Sequence, residues 1–157
     1  MGNLRDRTFS DLKTGEDLKT LHIAVTREHI NDFQEFLGHF DSDGYSKWLI
    51  GNNLHVDEDY SRRHMYGTVV GDAHQTIQYL CQVVTDSLPW GSLLSGYSEI
   101  DIKLTNPTRP GDNVVASGKI LEKTTEGGRN YAVCEVRAVK GEDKLVAIGT
   151  IKAYVPR

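Results

Sequence analysis

Apolar residues recur at helical spacing in one long stretch of the chain, and at a spacing of two through most of the residues beyond it. Between residues 72 and 88, Ala73, Ile77, Leu80, Cys81, Val84 and Leu88 step by four, three, one, three and four. That spacing predicts a wide apolar face on a helix able to sit at the centre of a fold. Asp72, with Gln75 three residues on, reads as an acidic capping box, and Pro89 and Gly91 close the helix. Residues 97–105 then alternate, with Ile100, Ile102 and Leu104 on one face. Residues 114–124, 130–139 and 145–154 predict three more strands of about ten residues each. Glu126-Gly127-Gly128 and Lys140-Gly141-Glu142-Asp143 read as hairpin joints, while Asn106-Pro107 and Arg109-Pro110-Gly111-Asp112 break the pattern after the first strand.

Upstream the pattern is looser. Residues 1–20 are polar, with a turn over Asp11-Leu12-Lys13-Thr14-Gly15-Glu16, and residues 21–25 predict a short strand. Thr26 caps a helix that runs to Gly38, with Glu28 in the first turn, where the helix dipole favours a carboxylate. Ile30, Phe33, Phe36 and Leu37 form its apolar stripe. A loop of unusual length follows over 39–53, carrying Asp41, Asp43, Gly44, Tyr45 and Trp48; long loops inside compact domains are more often functional than spacers. Residues 57–63 predict a short polar helix and 66–71 an extended approach to the central one. A central helix followed by four long antiparallel strands belongs to the α+β class, with the helix laid across the sheet.

Composition narrows the function classes. At 157 residues the chain is expected to form one domain, 1–157, with a sizeable core. Its 18 basic and 22 acidic residues are interspersed, which argues against nucleic acid and against an anionic membrane surface. No apolar run reaches the roughly 18 residues of a membrane span. Met1-Gly2-Asn3-Leu4-Arg5 lacks an apolar signal core, so a cytoplasmic location is expected, and Asp6 spoils a myristoylation signal. Cys81 and Cys134 lie in apolar segments and are expected to be buried thiols. His55, His64 and His74 do not match metal-ligand spacing on a single helix, so neither metal nor cofactor is expected.

The candidate chemistry gathers around Gly51-Asn52-Asn53-Leu54-His55-Val56-Asp57, where a lone histidine stands between two carboxylate clusters. An imidazole titrating near neutral pH suits proton transfer. Three carboxylates compete as its partner. Asp41 and Asp43 belong either to the site or to a solvated turn. Asp72 either caps the central helix or points into the site. His74 and Gln75 lie in the same first turn. Tyr45 and Trp48 either line a pocket or pack the long loop, and Arg62, Arg63 and His64 either attract a phosphate or form a solvated face.

Three ordered segments carry a family resemblance: Val25-Thr26-Arg27-Glu28-His29-Ile30-Asn31-Asp32-Phe33, Asn53-Leu54-His55-Val56-Asp57-Glu58-Asp59-Tyr60-Ser61-Arg62 and Pro107-Thr108-Arg109-Pro110-Gly111-Asp112-Asn113-Val114. On these the sequence resembles, over nearly its whole length, the MaoC-like family of (R)-specific enoyl-CoA hydratases and 3-hydroxyacyl-CoA dehydratases. The resemblance implies a hot-dog fold, a long central helix wrapped by an antiparallel sheet. It implies a lyase acting on an acyl thioester linked to CoA or a carrier protein, and a homodimer or higher multiple with sites at the subunit interface. In the family an Asp and a His within Asp-x-Asn-Pro-x-His activate water, and backbone amides at the start of the central helix hold the thioester carbonyl. His55 and Asn52 match that pattern. Ile50 stands where the family Asp belongs, Asn53 replaces the proline, and Val70-Gly71 replaces the His-Gly before the helix. Counted from Thr26, Asp41 falls where the family Asp falls. The expected catalytic set is therefore His55, Asp41 and Asp72, with Asn53, Gly71, Ala73, Asp43, Tyr45 and Trp48 as substrate contacts. The departures at Ile50 and Val70 leave two other readings open. One is a non-catalytic hot-dog protein that binds a thioester or another small ligand; the other is a thioesterase using Asp72.

Overall fold

Two glycines at a hairpin tip set the frame of the sheet. A computed structural model describes residues 7–38, 54–64 and 66–156. In chain order they form a 3-10 turn (Phe9–Asp11), β1 (Leu21–Ala24), α1 (Arg27–Gly38), α2 (Glu58–Arg63), α3 (Ala73–Thr85), β2 (Glu99–Leu104), β3 (Asn113–Glu126), β4 (Arg129–Lys140) and β5 (Lys144–Val155). Gly127 and Gly128 turn β3 into β4 with φ of +55° and +76°, the left-handed conformations a two-residue hairpin loop requires. The loop expected over 39–53 lies outside the described residues, and with it Asp41, Asp43, Tyr45, Trp48, Ile50, Asn52 and Asn53.

The five strands form one antiparallel sheet in the order β1-β3-β4-β5-β2. Along β4, Ala132, Cys134, Val136 and Ala138 alternate inward at 0% exposure, the period of two that the sequence shows. Helix α3 crosses this face against β3, β4 and β5 and buries Leu80, Val83 and Val84 completely. Burying side chains of this size contributes about 1.5–3 kcal/mol each. The architecture is α+β, as expected.

Several details differ from the expectation. Helix α3 ends at Thr85 rather than Leu88, and its buried stripe is rotated. Thr76, Leu80, Val83 and Val84 face the sheet, Ile77 and Cys81 are half-buried on the flank, and Ala73 is exposed. Thr76 counts as polar in a pattern search, yet it is buried in line with Leu80 and Val83. In α1 the inward row is Ile30 and Gln34, each 1% exposed, whereas Phe36 is 53% exposed. The polar opening stretch also contributes, because Leu12 and Leu18 join the core. Cys134 is fully buried and desolvation pushes its thiol up to about 12, which makes it inert as a nucleophile. Strand β2 starts two residues late because Gly96 and Tyr97 take left-handed φ of +83° and +55°.

β2 lies so close to β5 that a Cβ on Gly149 would sit 2.0 Å from the carbonyl oxygen of Asp101 and 2.7 Å from the Cα of Ile102. Both obstacles are backbone, so Gly149→Ala is expected to destabilise the fold by about 2–3 kcal/mol. Urea denaturation measures this, and an unchanged midpoint contradicts it.

Candidate active site

The carboxylate of Asp72 stands at the start of α3, with its backbone extended (φ −67°, ψ 141°) as an N-cap requires. Oδ1 accepts from the His74 amide at 2.8 Å and faces the His74 ring Nδ1 at 2.8 Å. Oδ2 accepts from the side-chain amide of Gln34 at 2.9 Å. The cap is present but the box is not: the Gln75 side chain donates to the His29 carbonyl at 3.0 Å, across to α1. Burial pushes the Asp72 carboxyl up, but the His74 amide and ring, the Gln34 amide and His55 outweigh it and hold the group below its ordinary value.

His55 belongs to a turn over residues 54–56 that leads into α2, which Asp57 caps through the Tyr60 amide at 2.9 Å. Two bonds pin this turn to the strand-like approach of α3. The Val70 amide donates to the Leu54 carbonyl at 3.0 Å, and His55 Nδ1 lies 2.8 Å from the Val70 carbonyl. Because a carbonyl only accepts, Nδ1 is the donor in this bond, which leaves Nε2 as the ring atom turned towards Asp72. Arg27 adds a tether from α1, donating to the Val56 carbonyl at 2.7 Å and pairing with Glu58 at 2.9 Å. The result is His55 Nε2 placed 3.7 Å from Asp72 Oδ2. That is too long for a direct hydrogen bond and short enough for one water to touch both.

His55, Gly71, Ala73 and Thr76 line one side of a cavity of about 290 Å3, with residues 104–108 on the other. A turn over 107–112 holds that far wall. Lys140, buried, donates to the Pro107 carbonyl at 2.8 Å and to Asp112 at 2.6 Å, and the Arg109 amide donates to Asp112 at 2.7 Å. The turn is clamped onto the helix start by the Gly71 amide, which donates to the Thr108 carbonyl at 2.8 Å. A Cβ on Gly71 would collide with Thr108 Oγ1, so any side chain there would displace the Thr108 hydroxyl. The Gly71, His74 and Gln75 amides are engaged, and the Ala73 amide at the first position of α3 has no acceptor among the described residues.

Of the expected site residues, His55, Gly71 and Ala73 line this cavity, and Asp72 stands behind the lining, 3.7 Å from His55. Asp41, Asp43, Asn53, Tyr45 and Trp48 lie outside the described residues. The His74 side chain is 76% exposed, and Arg62, Arg63 and His64 are exposed on α2, with Arg62 within 3.7 Å of both Glu58 and Asp59. Sequence reasoning missed Gln34 and Thr108. Gln34 was detectable as a polar residue four places from Ile30 on an inward helix face. Thr108 carries no signal of its own. Among the described residues no cluster of His, Cys, Asp and Glu is arranged to hold a metal ion, and no helix is long and apolar enough to cross a membrane.

The architecture is the hot-dog fold, shared by hydratases and dehydratases of the MaoC-like kind. The chain superposes on the R-hydratase PhaJ1 of Pseudomonas aeruginosa with a TM-score of 0.72 at 16% identity, over 96% of this chain and 86% of that one. For the MaoC-like dehydratase of Rhodospirillum rubrum the TM-score is 0.66 at 24% identity, over 95% and 96% of the two chains. For a chain of the ChsH1-ChsH2 complex of Mycobacterium tuberculosis it is 0.70 at 14% identity, over 91% and 98%. No protein-family model matches the sequence, and no curated protein matches it.

The lowered Asp72 carboxyl makes stability depend on pH with a definite sign. A group held below its unfolded value stabilises the fold above that value, and the stabilisation fades as pH falls through the folded value. Asp72→Asn retains a capping oxygen but loses the charge, and is expected to be about 1–2 kcal/mol less stable than the parent at neutral pH. The gap should close below the ordinary carboxyl value of 3.8. Denaturant melts of both proteins across that range test this; a gap independent of pH contradicts it.

Proposed function

We propose that this chain is an acyl-thioester hydratase or dehydratase whose proton-transfer pair is His55 and Asp72. The observation that carries the reading is the approach of His55 Nε2 to Asp72 Oδ2, 3.7 Å apart beside the cavity. It moves the carboxylate from the loop, where the family pattern has it and Ile50 now stands, to the start of the central helix. The naming of fold neighbours as hydratases and a dehydratase supports the same reaction class.

A water between the two groups donates one hydrogen bond to Asp72 and the other to His55 Nε2. In hydration, Nε2 takes a proton as the water oxygen bonds to the β-carbon of the enoyl thioester. The imidazolium, balanced by the Asp72 carboxylate, then returns that proton to the α-carbon, so one water is added across the double bond. Dehydration is the reverse. The Ala73 amide, at the positive end of α3, faces the negative charge that develops on the thioester oxygen. The Asp72 oxygens are turned towards Gln34, His74 and His55, which limits their repulsion of that oxygen.

Crotonyl-CoA hydration, followed by loss of enoyl absorbance, is expected in the wild type and reduced about 10²–10⁴-fold in His55→Ala. No turnover on enoyl thioesters of any chain length sinks the reading, and ligand-induced thermal stabilisation without turnover would point instead to a binding protein. The place of Asp72 on the first turn of α3 also suits water attack on the thioester carbonyl. Release of free thiol, read in the same samples, assigns a thioesterase.

The reading includes a second copy of the chain. β2 closes one edge of the sheet, and Ile100 and Leu104 on it are 48% and 43% exposed. Exposed apolar edges of this kind are normally covered. Sedimentation at micromolar concentration is expected to show a dimer or a multiple of it, and a monomer counts against the arrangement.

A further inference from the structure

We infer that Gln34 is a positioning residue for Asp72: its buried amide aims Oδ2 at the space shared with His55 and favours the ionised carboxylate. The inference rests on the His55 and Asp72 reading above. Gln34 is 1% exposed on the inner face of α1, one turn from Ile30, where an apolar side chain of the same volume would be the ordinary occupant. Burying a primary amide is unfavourable unless its polar atoms are bonded. Here Nε2 donates to Asp72 Oδ2 at 2.9 Å, and Oε1 is buried with no partner among the described residues. The amide thus makes a single bond there, and that bond goes to the carboxylate facing His55.

The chemistry of the group fits this task. A neutral donor stabilises the carboxylate without competing with His55 for its charge, as a lysine or arginine would. The titratable groups facing Asp72 are His55, from the turn before α2, and His74, on its own helix. His74 is largely exposed, so the Gln34 bond is the sheltered one of the side-chain contacts. Since the Gln34 side chain bonds to no other described residue, replacing it perturbs Asp72 selectively.

The experiment is a carboxyl 13C NMR titration of Asp72 in the full chain, together with kcat and KM on crotonyl-CoA, for the wild type, Gln34→Met and Gln34→Glu. The Asp72 midpoint is expected to move upward in Gln34→Met, which removes the donor. It should also rise in Gln34→Glu, which keeps the shape and brings up a second carboxylate. In Gln34→Met, kcat is expected to fall by about 10–100-fold with little change in KM, and the acid limb of its pH profile should follow the NMR midpoint. An unchanged midpoint in whichever variants fold overturns the inference, even in an active enzyme. A shifted midpoint with the wild type inactive on every thioester overturns the hydratase reading and leaves the coupling of Gln34 to Asp72 supported.

Discussion

Two oxygens on Asp72 carry the contacts of three separate parts of the chain, and the geometry of the site follows from how they are shared. Oδ1 goes to the first turn of α3, which caps the helix and fixes where it begins. Oδ2 goes to α1 through Gln34, and on its remaining side faces His55. A carboxylate employed only as a cap would point its second oxygen into solvent. This one is 8% exposed and lies between the amide of Gln34 and the imidazole of His55. The same group therefore ends one element, joins a second and orients a third.

The opposite wall depends on a buried cation. Lys140 reaches from the end of β4 to Asp112 and the Pro107 carbonyl, closing the turn that brings Thr108 against Gly71. Removing one partner of such a pair costs more than the pair contributes, because the other charge remains buried. The absence of a side chain at Gly71 lets that turn touch the helix start. Cavity shape is thus set by backbone contact on one side and a charge pair on the other, with the His55 turn latched between them by the Val70 carbonyl.

The features legible in the sequence had a local cause. The Gly127-Gly128 turn, the Thr26 cap, whose oxygen accepts from the His29 amide at 3.1 Å, and the alternation of β4 are all set by neighbours along the chain. Asp72 as a cap was legible for the same reason. The features that escaped depended on contacts between distant segments. Gln75 abandons the capping box because α1 offers the His29 carbonyl. Hydrophobicity marks Phe36 for the stripe of α1, whereas the buried position is taken by Gln34, whose amide finds Asp72 on a distant segment. Of the three carboxylates the sequence offers beside His55, Asp72 is the one seventeen positions along, and the fold brings it within 3.7 Å. Chain distance says little about such a pair when a turn is pinned back onto the approach to a helix.

The order of the strands has a consequence for how the molecule comes together. β3, β4 and β5 succeed one another through two tight turns, so their pairing needs only short loops to close. β1 pairs with β3 through Ala24 and Asn113, and α1, the His55 turn, α3 and the wall up to Thr108 lie in the chain between them, with Lys140 reaching in from β4. Closing a loop of that length carries a larger entropic cost than closing a hairpin. The pairings within the meander therefore carry the smaller closure cost, and the pairing of β1 with β3 the larger. The cavity thus lies within the span of chain whose closure is entropically the most costly in the sheet.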